Sequence, residues 1–182
     1  MAQSLTARFG ADFVVVLPND TEVVYTAIKP PYRTQLYDLL DDKLVEKYVK
    51  AGRQQTKEIR RTVEVLARQI DRGIRSAELN SIQTRSVLYF FRGILSEAAR
   101  KKESQADHIR LLDHPIIQLL FPFVAFKRRE EARVLLVTVQ KGFRRFFDGS
   151  KGTSLPELKG KDANFIIFLD EFDFLEADLI DL

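Results

Sequence analysis

From about Tyr32 to Phe126 the apolar residues recur at steps of three and four, and this periodicity constrains the 182-residue chain more than any other feature. Leu36, Leu39, Leu40, Leu44, Tyr48 and Val49 make a first stripe. After Ala51-Gly52, a second helix carries Ile59, Val63, Leu66, Ile70, Ile74 and Ala77. A third, from Ser81 to about Lys102, carries Val87, Leu88, Phe91, Ile94, Leu95 and Ala98. Stripes of this kind bury against one another, which predicts an antiparallel helical subdomain. Asp113-His114-Pro115 predicts a further helix start, with Asp113 as cap and His114 a capping or boundary residue. Ile116 to Phe126 then reads as a buried helix followed by an extended segment broken at Pro122.

The flanks change period. Phe13-Val14-Val15-Val16-Leu17 is apolar at every position and is closed by Pro18-Asn19-Asp20, a turn signal. Glu22 to Ile28 predicts a second extended piece, ending at Lys29-Pro30-Pro31. Arg133 to Val139 predicts a strand, Gln140 to Phe147 a short helix, Ser150 to Asp162 a loop, and Asn164 to Leu169 a buried strand. Strands without polar alternation are covered on both faces, as in a parallel sheet. The expected fold class is therefore α/β, a parallel sheet with a large helical insertion. The expected divisions are a strand segment over 1–31, a helical subdomain over 32–126, and a strand–helix–strand segment over 127–182.

Composition narrows the function classes. With no Cys, a disulfide framework and a thiolate metal site are excluded. Two His are too few for a histidine-rich zinc centre, which leaves carboxylates as the ligands for any hard cation. Neither a signal peptide nor a bilayer-spanning run is present, so the expectation is a cytoplasmic protein with no membrane partner. The net charge of +3 hides an asymmetry: from Glu157 onward the chain carries −6, and the remainder +9. The basic part suits a polyanion such as DNA or RNA.

The most specific motif is Phe165-Ile166-Ile167-Phe168-Leu169-Asp170-Glu171, an apolar strand that ends in two carboxylates. Such a strand holds its last residues at the carboxyl edge of a sheet, where ligands collect in open α/β folds. With the following Phe172-Asp173-Phe174, it resembles the Asp-Glu-Phe-Asp segment of DExx-box ATPases of helicase superfamily 2. The run Phe13 to Asp20 is similar to that family's motif Ia. Val134 to Gln140 is similar to its motif Ib.

The resemblance implies a partial RecA-like sheet, with ATP and Mg²⁺ as cofactors. Asp170 would bind Mg²⁺, and Glu171 would activate the attacking water. Thr138 and Gln140 would contact the nucleic-acid backbone, joined by Lys141, Arg144 and Arg145 beside the phenylalanines at 143, 146 and 147. The family's Gly-x-x-x-x-Gly-Lys-Ser/Thr loop is absent; Gly149-Ser150-Lys151-Gly152-Thr153 misplaces the lysine and reads as a loop. The family's third motif and second RecA-like domain are also missing. The chain is thus expected to be a fragment that needs flanking helicase segments or a complementary subunit, and to be nearly inactive alone.

Other basic groups have plainer readings. Lys127-Arg128-Arg129 reads as a solvated cluster. Arg60, Arg61, Arg68, Arg72 and Arg75 line one helix, but Glu58, Glu64 and Asp71 are interleaved, which reads as a salt-laced solvent face. His108 and His114 lack a recognisable nucleophile turn. The alternative to the ATPase is a non-catalytic helical protein that binds nucleic acid or acts as a scaffold or adaptor.

Overall fold

A computed structural model of the chain describes residues 14–50, 52–101, 104–128, 134–138, 146–153 and 166–170. Two units are distinguished: Asn19–Phe121, and a second assembled from Met1–Pro18 and Pro122–Leu182. The first unit is helical throughout its described secondary structure and holds most of the core.

In that unit α1 spans Asp20–Ile28. The turn signal before it serves as a helix start. Asn19 accepts a hydrogen bond from the Glu22 backbone N–H at 2.9 Å, and Asp20 and Glu22 sit in the first turn. The extended piece expected over Glu22 to Ile28 is therefore corrected to helix. Its β-branched residues favour a strand locally, but Val23, Val24, Ala27 and Ile28 fall on one face at helical spacing and are buried. Tertiary burial outweighs the local preference here.

The first predicted stripe is divided between α2, Tyr32–Asp41, and α3, Lys43–Tyr48. Asp42 causes the break by leaving helical geometry and accepting from the Leu44 N–H at 2.8 Å. Next comes α4, Arg53–Asp71, which buries Ile59, Val63, Leu66, Ala67 and Ile70. It stops short of the predicted Ile74 and Ala77 because Gly73 adopts φ 88°. The Gly73 N–H donates to the Ile70 carbonyl at 2.9 Å, and the Ile74 N–H to the Gln69 carbonyl at 3.1 Å, the two bonds of a Schellman ending.

After a single 3₁₀ turn at Ser76–Glu78, α5 runs from Ser81 to Arg100 under an Asn80 cap that accepts from two backbone N–H groups. Thr84, Val87, Leu88, Phe90, Phe91, Ile94, Leu95 and Ala98 are its buried residues. Its neighbours include α1, α3, α4 and α6, the last spanning Gln105–Leu112, so α5 is the helix around which the unit packs. The final helix of the unit, α7, covers Pro115–Leu120. His114, rather than Asp113, is its cap: Nδ1 accepts from the Ile116 N–H at 3.2 Å. Burial pushes the His114 pKa down, against Asp42 and Asp38, which favours the neutral ring that this acceptor role requires.

The second unit contains α8, Pro122–Arg128, where an extended segment was expected. Proline at a first helical position needs no N–H partner, so Pro122 starts a helix instead of breaking one. α8 buries Phe123 to Phe126 and lies against β1, Val14–Val16, and β3, Phe146–Phe147. Phe146 was expected in a helix; it is in a strand, paired antiparallel with β4, Gly152–Thr153, and its ring is 5.2 Å from that of Phe123. β2, Val134–Thr138, pairs in parallel with β1 and with β5, Ile166–Asp170.

The expected α/β class, a partial RecA-like parallel sheet interrupted by a helical insertion, is overturned by the predominance of helix. The strands are short, three to five residues in the parallel set. A doubly wound sheet needs helical crossovers between successive strands. Here β1 and β2 are separated by the entire helical unit, and the described elements between β2 and β5 are the β3–β4 hairpin. Helix makes up most of the described elements, and the helical unit lies in sequence between the two segments of the strand-bearing unit.

Candidate nucleic-acid interface

Helix α4 has a strongly divided surface. Its buried residues Ile59, Val63, Leu66 and Ile70 define one side. At 100° per residue, Lys57, Arg61, Arg68 and Arg72 fall within a sector of about 60° on the opposite side. All four are exposed. With a rise of 1.5 Å per residue they extend over about 22 Å of helix.

Of the interleaved acids, Glu64 is exposed at the edge of that ridge, one turn from Arg61 and Arg68, whereas Asp71 and Glu58 are engaged elsewhere. Asp71 is held from the flank by Arg33 of α2: Nη1 donates to Oδ2 at 2.9 Å and Nη2 to Oδ1 at 2.7 Å. The Arg33 Nε–H also donates to the Ile28 carbonyl at 2.7 Å, which fixes the fork. The hydrogen bond to Arg33 holds the Asp71 carboxyl below its usual range, and the same bond raises the Arg33 pKa. Arg60, on the flank of α4, pairs with Asp41, and Arg53 at its start pairs with Glu46. Glu58 accepts from the Gln54 amide at 3.2 Å.

Among the described residues, Lys57, Arg61, Arg68 and Arg72 have no salt-bridge carboxylate; Arg68 Nε donates only to the Glu64 carbonyl oxygen, at 3.3 Å. Arg75 in the turn after α4 and Arg85 in the second turn of α5 are likewise exposed and without a salt bridge among the described residues. The α4–α5 hairpin thus presents cations that have no salt bridge among the described residues, on a packed helical support. The solvent exposure expected of this face is observed, but the partner of Asp71 is not one of its neighbours on α4. That pairing leaves no signal in local sequence, because Arg33 lies 38 positions from Asp71.

A second polar concavity has a different character. An open cleft of about 360 Å³ is lined by Asp42, Lys43, Leu44, Lys47, Asp107 and Arg110. Lys47 Nζ and the Tyr48 hydroxyl both donate to Asp107 Oδ2 at 2.6 Å. Those two bonds, Lys47's the larger, hold the Asp107 carboxyl low. Arg110 approaches Asp42 at 4.0 Å. The charges here alternate in sign and engage one another, which ties α3 to α6.

Of the residues proposed from the ATPase motif, Thr138 and Asp170 are backbone partners at the carboxyl ends of parallel strands β2 and β5. Glu171, Gln140, Lys141, Arg144 and Arg145 lie outside the described residues. Among the described residues, no three His, Asp or Glu side chains gather to hold a metal ion, and no helix is long and apolar enough to cross a membrane. No protein-family model, curated protein or solved structure matches the chain.

Proposed function

We propose that this is a nucleic-acid-binding protein whose helical unit grips the phosphate backbone along α4 and the turn into α5. One observation carries the reading. Asp71, Asp41 and Glu46 are engaged by Arg33, Arg60 and Arg53, so the outward-facing Lys57, Arg61, Arg68 and Arg72 outnumber the single acid on their side of α4, Glu64, and keep a net positive charge for a polyanion. Cations fixed along a packed helix bind phosphates by releasing condensed counterions, which gives affinity without base readout.

A salt titration tests it. Labelled oligonucleotides are titrated with the full chain between about 50 and 200 mM salt, and log K is expected to fall linearly with log salt. Four or five phosphate contacts correspond to a slope of roughly −3 to −4. Absence of binding at low salt, or a flat response, disposes of the reading.

A second reading, a nucleic-acid-dependent ATPase, is favoured by the register that sets Asp170 opposite Thr138 where two parallel strands end. Asp170 would take Mg²⁺ through water, and the ion would neutralise phosphate oxygens of ATP; Glu171 would orient the attacking water. The chain joined to a segment supplying a phosphate-binding loop is expected to release phosphate faster with nucleic acid present. Glu171→Gln should lower that rate by at least about 100-fold. Equal rates for the two versions remove the assignment.

A further inference from the structure

We propose that Tyr89 on α5 is a base-stacking platform that makes the helical unit favour single strands over duplex, an inference that rests on the nucleic-acid reading above. Ile82 and Tyr89 are the most exposed large apolar side chains among the described residues, at 74% and 63%. Seven positions apart, they share one face of α5, opposite the buried Phe91 and Leu95. Exposed Arg85 stands on the same face, one turn before Tyr89. An exposed tyrosine ring one turn from a guanidinium suits a nucleobase and its adjacent phosphate, the combination used on single strands.

Gly93 supplies an independent observation. It sits one turn beyond Tyr89, exposed and in the interior of α5, where glycine is a poor helix former. Packing does not demand it, since a Cβ built there would meet nothing within 4 Å. Side chains on a helix lean toward its N-terminus, so any side chain at position 93 would lie over the turn that holds Tyr89. Glycine leaves the ring uncovered. A duplex keeps its bases stacked inside and offers the ring only backbone, whereas an unpaired base can lie on it.

The protein contains no Trp, so Tyr89→Trp places a single tryptophan, which can be excited apart from the tyrosines, at the platform. Its fluorescence is expected to be quenched by single-stranded oligonucleotide and to change little with duplex. Tyr89→Ala should weaken single-strand binding by roughly tenfold or more and leave duplex binding unchanged. Gly93→Leu should do the same while the thermal midpoint holds or rises, which separates a covered ring from a damaged helix. Salt-dependent binding that Tyr89→Ala and Gly93→Leu leave intact overturns stacking and keeps the phosphate reading. Failure of the unaltered protein to bind either form overturns both.

Discussion

Changing Arg61, Arg68 and Arg72 together to Glu is expected to reduce nucleic-acid affinity by at least about 100-fold near physiological salt. The size follows from the number of contacts. A unit charge pair at 4 Å contributes about 1 kcal/mol even at the dielectric constant of water, so losing three contacts removes about 3 kcal/mol. Reversal adds repulsion on top of that loss. The slope of log K against log salt should fall in magnitude by roughly 2 to 3, since three fewer counterions are released.

Stability should fall only modestly, by about 1 to 2 kcal/mol, because acids at the C-terminal end of α4 oppose its dipole and stand beside Glu64. These side chains are exposed, without salt bridges among the described residues, and Arg and Glu have similar helix propensities. Circular dichroism and a thermal melt check that the fold persists. Arg60, already paired with Asp41, provides the contrast: Arg60→Gln is expected to change affinity by less than about threefold. A triple variant that binds as the unaltered protein does would move the interface away from α4.

The contrast between Arg60 and Arg61 also marks what could be read from sequence. The stripe Ile59, Val63, Leu66 and Ile70 announced α4, and the spacing from Val87 to Ala98 announced α5. Both signals are local and repeat over several turns. The charge state of the face could not be obtained in the same way. Asp71 looks in sequence like the partner of neighbouring arginines, whereas the folded chain gives it to Arg33 on another helix.

Helix α1 was hidden for a related reason. Thr21, Val23, Val24, Thr26 and Ile28 suggest a strand, and only the burial of Val24, Ala27 and Ile28 among other helices decides otherwise. The apolar runs near Val14, Val134 and Ile166 do lie in strands, but their local character said nothing about how much of the fold a sheet would occupy. Short segments of high β-propensity were therefore given too much weight beside a helical body. Tyr89 carries no local signal, because one exposed aromatic interrupts no stripe and its meaning depends on Gly93 one turn away.

Phe91→Ala is expected to destabilise the helical unit by about 3 to 5 kcal/mol, the range for truncating a buried aromatic. Phe91 has 0% exposure, and its ring meets Phe90 edge-on at a centroid distance of 5.2 Å. It lies on the face of α5 that packs into the unit, so neighbouring helices cannot close the void without shifting several of one another's contacts. Against a typical total of about 5 to 15 kcal/mol, that loss is a large fraction, and the melting midpoint should fall by at least 10 °C or so. Tyr89→Ala, two residues away on the solvent side, should shift stability by no more than about 0.5 kcal/mol. Guanidinium titrations of the two variants measure the difference directly. A large loss for Phe91 beside a small one for Tyr89 means that α5 divides its work by face, packing on one side and recognition on the other. Similar losses for both would mean that Tyr89 is held in packing, which is incompatible with a ring open to a base.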